Sequence, residues 1–121
     1  MTNILKGANV VLGVTGSIAC YKAVDLASKL TQTGALVNVM MTEGATKFVT
    51  PLSFKAITHR PVHTDLFDPQ SDLNIDHVSA ALDAKVCVVA PATANTIAAM
   101  SLGLADNVLT STILATTAPV I

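Results

Sequence analysis

The chain has 121 residues, of which 51% are hydrophobic, 12% charged and 3% aromatic. A typical globular domain has about 25% charged residues, so this sequence carries half the usual charge, and its high hydrophobicity excludes an intrinsically disordered chain. Seven basic and eight acidic residues leave a net charge of −1. This balance argues against a binding surface for nucleic acid or for an anionic membrane. The length fits one domain over residues 1–121.

The low charge has two candidate explanations, a membrane protein or an outer surface buried against other subunits. No stretch reaches the roughly 18 uninterrupted apolar residues of a spanning helix, and no clear signal peptide opens the chain. We therefore expect a cytoplasmic protein with no membrane partner, and a homo-oligomer rather than a monomer rich in surface Ala and Thr. Cys20 and Cys87 match no metal or redox spacing, so both are interpreted as packing residues and no metal is expected.

Strand-like and helix-like stretches alternate along the chain. The first half predicts a strand at 8–14, a turn at 15–17, a helix from 19 to 30 stopped by Gly34, a strand at 36–41, a short helix at 42–49 and a helix between Thr50-Pro51 and Arg60-Pro61. The second half predicts a strand at 62–64, a loop at 66–74, a helix at 76–84, a strand at 86–90, a turn at 91–94, helices at 95–102 and 108–115, and a strand starting at 118. This pattern predicts βαβ units that form a parallel sheet with helices on both faces, a three-layer α/β/α fold.

Three loops rich in Thr, Ser, Gly and Ala follow predicted strands, at residues 15–19, 42–45 and 91–96. Ligands of parallel sheets bind at the carboxyl ends of the strands, where these loops would lie. Small hydroxyl residues at helix starts supply N–H and Oγ donors with little bulk, which suits a phosphate or a flat heterocycle. The G-x-x-G spacing of 13–16 is neither a dinucleotide fingerprint nor a P-loop, so a tight turn and an anion site are equally compatible with it.

Polar residues of the second half offer further candidates. The turn at 91–96 holds Thr93, Asn95 and Thr96, and a helix N-cap explains one of these side chains but not all three. The pair 106–107 could cap the helix at 108–115 by the same rule. A neutral imidazole such as that of His77 can serve as a general base near pH 7, although its spacing alone favours a structural role.

Four segments together resemble the family of homo-oligomeric flavin-containing Cys decarboxylases, and within it the phosphopantothenoylcysteine decarboxylase branch. The segments are Gly-Val-Thr-Gly-Ser-Ile-Ala-Cys-Tyr-Lys (13–22), His-Val-Ser (77–79), Ala-Pro-Ala-Thr-Ala-Asn-Thr-Ile (90–97) and Gly-Leu-Ala-Asp-Asn-Val-Leu-Thr (103–110). They occur in the family's order and cover nearly the whole chain. The resemblance implies a Rossmann-like sheet, bound FMN at subunit contacts, and trimers or multiples of trimers.

The resemblance also assigns roles to residues of this chain. It implies that His77 is the catalytic base. It implies that FMN is lined by Gly16, Ser17, Ile18, Ala19, Thr42, Thr93, Ala94, Asn95 and Thr96.

The implied reaction is FMN-dependent decarboxylation of 4′-phosphopantothenoylcysteine to 4′-phosphopantetheine in coenzyme A biosynthesis. In the family's scheme the flavin oxidises the substrate's cysteine moiety toward a thioaldehyde, whose C=S accepts the electron pair as carbon dioxide leaves, and a later step returns the electrons. Decarboxylation needs an electron sink, which no side chain here provides and a flavin does. With a flavin present, a catalytic role for His77 is favoured over a structural one.

The sequence departs from the family pattern in three ways. It stops at Ile121, before a Pro-x-Met-Asn-x-x-Met-Trp-like motif whose Asn holds the substrate carboxylate, it lacks a downstream Cys, and Ala99 stands where members often have Lys. We therefore expect a C-terminally incomplete domain that lacks the final strand or strands of the sheet. A non-catalytic FMN-binding or regulatory subunit stays open as an alternative. So does a related flavin enzyme that decarboxylates peptidyl cysteines or prenylates FMN.

Overall fold

The chain forms a parallel sheet with helices on both faces. The computed structural model describes residues 3–65 and 77–121. In chain order the elements are β1 (Asn9–Val14), α1 (Cys20–Gln32), β2 (Leu36–Met41), α2 (Glu43–Thr46), α3 (Pro51–Thr58), β3 (Val62–His63), α4 (His77–Asp83), β4 (Val86–Val89), α5 (Ala94–Leu102) and α6 (Val108–Ala115). The predicted loop at 66–74 lies outside the described residues.

The sheet has the strand order β3-β2-β1-β4, and every described pair is parallel. Strand β1 pairs along its whole length with β2 and, through Val10–Gly13, with β4. Residues 10–14 of β1 and 37–41 of β2 are buried on both faces of the sheet, so these strands are mainly apolar rather than alternating, with Asn38 as the one polar residue of the two stretches. Residues 119–121 lie beside β4, where Cys87 N donates to Pro119 O at 2.9 Å and Ile121 N donates to Cys87 O at 2.8 Å. The predicted start of a strand near 118 is therefore confirmed.

Alternating strand residues divide the core into two layers. On one face of the sheet, Leu12 and Phe54 belong to the cluster that α1 and α3 cover. On the other face, Met40 and Leu109 belong to the cluster under α4 and α6. Burial of Ala23 and Ala27 on α1 lets that helix approach the sheet closely. The three-layer α/β/α arrangement predicted from the sequence is confirmed.

Two of the predicted helices differ in detail from the structure. Thr50 precedes α3 with Pro51 at the first helical position, as predicted, but the Thr50 hydroxyl contacts Ser53 Oγ at 3.2 Å rather than a backbone N–H. Helix α2 is shorter than the predicted 42–49, because its regular hydrogen bonding stops at Thr46 and turns carry the chain to α3.

Asn107 caps α6 and offers a stability test. Its Oδ1 accepts from Thr110 N at 2.8 Å, and Thr110 Oγ1 accepts from Asn107 N at 3.3 Å, which completes a reciprocal capping box. We expect Asn107→Ala to lower the free energy of unfolding by about 1 kcal/mol, measured by urea denaturation. Asn107→Asp, which keeps a side-chain acceptor, should stay near wild type. Equal losses in the two variants would contradict a capping role.

Candidate functional site

The strand order reverses between β1 and β4, which opens a crevice at the carboxyl end of the sheet. From β1 the chain proceeds to β2 and β3 on one side, whereas β4 pairs with the other side of β1. The loop after β1 leads to α1 on one face, and the loop after β4 leads to α5, which packs against α6 on the opposite face. Ligands of doubly wound sheets bind at such a reversal.

Thr15 joins the two loops that border this crevice. It is the first residue after β1 and only 1% exposed. Its Oγ1 donates to Pro91 O at 2.6 Å and accepts from Thr93 N at 2.9 Å. The Thr15 backbone N–H also donates to Pro91 O, at 3.2 Å. The loops at 15–19 and 91–96 are therefore held side by side.

A backbone contact between two glycines joins the third loop to the first. An ideal Cβ built on Gly16 would lie 2.8 Å from the carbonyl carbon of Gly44, so a side chain at position 16 has no room. Thr42 N donates to Val14 O at 3.1 Å, and Thr42 Oγ1 caps α2 by accepting from Ala45 N at 3.2 Å. The structure thus brings together the three loops that the sequence singled out.

The loop before α1 offers backbone donors. Ser17 Oγ accepts from Ala19 N at 3.2 Å, and Ser17 O accepts from Cys20 N at 3.0 Å. Within the described ranges, no hydrogen-bond acceptor contacts the N–H groups of Gly16, Ser17 or Ile18. These donors precede a helix of 13 residues, whose dipole adds positive potential at this end. The chemistry of this donor set suits a phosphate.

The turn after β4 uses two of its three polar side chains for capping. Thr93 Oγ1 accepts from Thr96 N at 3.2 Å, and the two hydroxyls are 3.1 Å apart. Helix capping therefore occupies both threonines, one more than the sequence suggested. Ala94 and Asn95 are exposed, and the Asn95 amide has no hydrogen-bond partner in the described part of the chain.

His77 is the first residue of α4, which leads into β4. Helices that connect parallel strands run antiparallel to those strands, so α4 begins at the carboxyl edge of the sheet. The backbone position of His77 is thus at the same edge as the three loops. Its role as a base stays a prediction.

The two cysteines are buried, in agreement with their interpretation as packing residues. Cys20 Sγ donates to Thr15 O at 3.0 Å. Burial raises the pKa of the Cys87 thiol, which keeps it protonated at neutral pH and unsuited to act as a thiolate nucleophile.

Residues 3–65 and 77–121 contain no group of three or more side chains suited to hold a metal ion. In the same ranges no helix is both long enough and apolar enough to cross a membrane.

A cavity of about 150 Å³ adjoins the turn after β4. It lies between α5 and α6, with Asn95, Thr96, Asp106, Asn107 and Thr110 in its lining. Ligand pockets usually measure about 300–1,000 Å³, so this cavity by itself is too small for a cofactor of the size of FMN.

Sequence reasoning did not single out two residues that organise this site, Thr15 and Gly44. Thr15 hydrogen-bonds to residues 76 and 78 positions away. No local pattern distinguishes such a threonine from one exposed in a turn. Gly44 has a role only because Gly16 packs against it.

The strand order and the Gly- and Thr-lined edge define a doubly wound α/β protein of the class that binds phosphorylated heterocycles. The chain belongs to the Flavoprotein family, whose model matches residues 2–121. The fold and the family resemblance inferred from the sequence are thereby confirmed.

Several known proteins are similar to this chain. It is 51% identical over 117 residues to the coenzyme A biosynthesis bifunctional protein CoaBC of Bacillus subtilis (strain 168), an alignment that covers 97% of this chain and 29% of that relative. Among solved structures, the FMN-dependent cysteine decarboxylase SpaF matches with a TM-score of 0.84 and 32% identity, over 96% of this chain and 67% of SpaF. A mutant PPC decarboxylase complexed with pantothenoylaminoethenethiol matches with a TM-score of 0.76 and 28% identity, over 95% and 65% of the two chains. The chain thus spans less than a third of the length of the curated relatives it matches.

Proposed function

We propose that this chain binds FMN at the carboxyl edge of its sheet and takes part in the decarboxylation of 4′-phosphopantothenoylcysteine to 4′-phosphopantetheine. The observation that carries the proposal is the joining of three small-residue loops at the strand-order reversal, with N–H donors before α1 that have no acceptor among the described residues. The 51% identity to a coenzyme A biosynthesis protein supports the choice of substrate. A cytoplasmic location accords with a small soluble metabolite as substrate, and no nucleic-acid or membrane partner is proposed.

The residues of the edge fit FMN. The N–H groups of 16–18 would hold the phosphate, and Ala19, Thr42 and the segment 93–96 would line the rest of the cofactor. Their small side chains suit a flat ring, and the absence of a side chain at Gly16 lets the loops at 15–19 and 42–45 pack together. FMN, when bound, supplies the electron sink that decarboxylation requires. His77 serves as the general base and accepts a proton from the substrate's cysteine moiety.

We also propose a homo-oligomer, a trimer or a multiple of trimers, with the FMN site at a subunit contact. Residues 86–121 contain a single charged residue, Asp106. Apolar side chains nevertheless lie exposed beside the site, with Ile18 81%, Ile97 52% and Leu102 74% accessible. Such uncharged apolar surface is typical of the core of an interface. Light scattering during gel filtration measures the oligomeric state.

The test is a titration of the purified protein with FMN, followed by addition of 4′-phosphopantothenoylcysteine. We expect bound flavin, bleaching of its absorbance on mixing, and release of carbon dioxide, with free FMN plus substrate as the control. A peptide ending in Cys and a prenyl phosphate, added in parallel, separate this reaction from the two related flavin chemistries. Bound flavin with no turnover of any substrate would favour the non-catalytic alternative, and absence of flavin binding would refute the proposal.

A further inference from the structure

We infer that Thr15 is a positioning residue, one that sets the FMN crevice by fastening the turn after β4 to the end of β1. This inference rests on the proposed function, because it concerns the same site. Thr15 is buried below the crevice and lies outside the set of residues expected to line the cofactor. Its contribution would therefore pass through other residues.

The Thr15 hydroxyl acts as donor and acceptor at once. It donates to Pro91 O at 2.6 Å and accepts from Thr93 N at 2.9 Å, so a single oxygen makes two hydrogen bonds to the neighbouring loop. In the described ranges, no other side chain makes a hydrogen bond between loops 15–19 and 91–96. Backbone pairing alone, from Thr15 N to Pro91 O and Ala90 N to Gly13 O, leaves the position of Thr93 unspecified.

The effect extends from Thr93 into α5. Thr93 Oγ1 holds Thr96 N at 3.2 Å, so the residue that Thr15 fixes is also the cap of the helix. The exposed residues Ala94 and Asn95 lie between these two anchors. Loss of the Thr15 hydroxyl leaves Thr93 N–H without its acceptor, and a donor without a partner is costly. We expect the turn to loosen and its residues to lose their alignment with the loop at 15–19.

The experiment compares Thr15→Val, which keeps the shape but removes the hydroxyl, with Thr15→Ser, which keeps the hydroxyl. Thr112→Val is the matched control, since Thr112 is fully buried and its hydroxyl donates to Val108 O at 2.7 Å within α6. Two quantities are measured, the dissociation constant for FMN and the hydrogen exchange rate of the Thr93 amide in protein free of FMN.

We expect Thr15→Val to weaken FMN binding about tenfold and to speed exchange at Thr93 about tenfold. Thr15→Ser should stay within about twofold of wild type in both measurements, and Thr112→Val should change neither. The inference is overturned if Thr15→Val matches Thr112→Val at the Thr93 amide and in FMN affinity. Should Thr15→Val be unfolded, Thr15→Ala carries the same two expectations. Failure of the wild-type protein to bind FMN would refute the proposed function. The exchange rate of the Thr93 amide would still test whether the Thr15 hydroxyl holds the turn after β4 in place.

Discussion

Replacement of His77 by Asn is expected to lower turnover of 4′-phosphopantothenoylcysteine by about 10²–10⁴-fold, the usual range for loss of a general base. An amide has a size similar to that of imidazole but cannot accept a proton near neutral pH. FMN binding should stay unchanged, because the residues expected to hold FMN lie on other loops. Rates of carbon dioxide release and FMN titrations on both proteins measure the two quantities.

His59 offers the matched control for this substitution. It is exposed and ends α3 with φ of 58°, a left-handed conformation that Asn adopts more readily than most residues. Because α3 runs antiparallel to the strands, His59 lies at the edge of the sheet opposite to His77. His59→Asn should therefore keep full turnover. Equal loss in both variants would point to a general effect, and full activity of His77→Asn would show that the base is another group.

Most of the fold could be predicted because apolar runs, glycines and prolines in the sequence mark the same strands and helix ends that the structure has. The apolar run that ends at Val14 indicated β1, whose residues 10–14 are buried on both faces of the sheet. Gly34 and Gly103 ended the predicted helices, and both adopt positive φ in the structure. Pro51 marked a helix start that the structure confirms. Helix α2 ends earlier than the predicted 42–49, because the residues after Thr46 form turns.

The site could be predicted only as far as its loops. Parallel topology places every strand's carboxyl end at one edge, so loop composition sufficed to select 15–19, 42–45 and 91–96. The contacts between those loops depend on tertiary structure. Thr15 and Thr93 are 78 positions apart, and the Gly16–Gly44 contact requires β1 and β2 to pair in one register. The prediction that His77 is the general base depends on the family resemblance, since no spacing in the sequence distinguishes a catalytic from a structural histidine.

Gly16→Ala is expected to lower the free energy of unfolding by about 1–3 kcal/mol, the usual cost of overpacking, and to weaken FMN binding by roughly ten- to a hundredfold. The new Cβ would lie 2.8 Å from the carbonyl carbon of Gly44 and 3.1 Å from its oxygen. Both are backbone atoms, which cannot turn aside as the end of a side chain can. The loops at 15–19 and 42–45 would have to separate, which would move the N–H donors before α1.

Gly44→Ala tests the same contact from its other side. A Cβ on Gly44 would lie 3.4 Å from Gly16 Cα, an ordinary van der Waals distance, and Ala is favoured over Gly within a helix such as α2. This variant should keep wild-type stability and FMN affinity, measured by urea denaturation and by flavin titration. Both substitutions add one methyl group to the same contact between two loops. A loss of stability and FMN affinity in Gly16→Ala but not in Gly44→Ala would therefore show that the close approach of Gly16 to the Gly44 backbone shapes the site. Equal tolerance of the two variants would mean that the loops are free to separate and that the glycine contact does not shape the site.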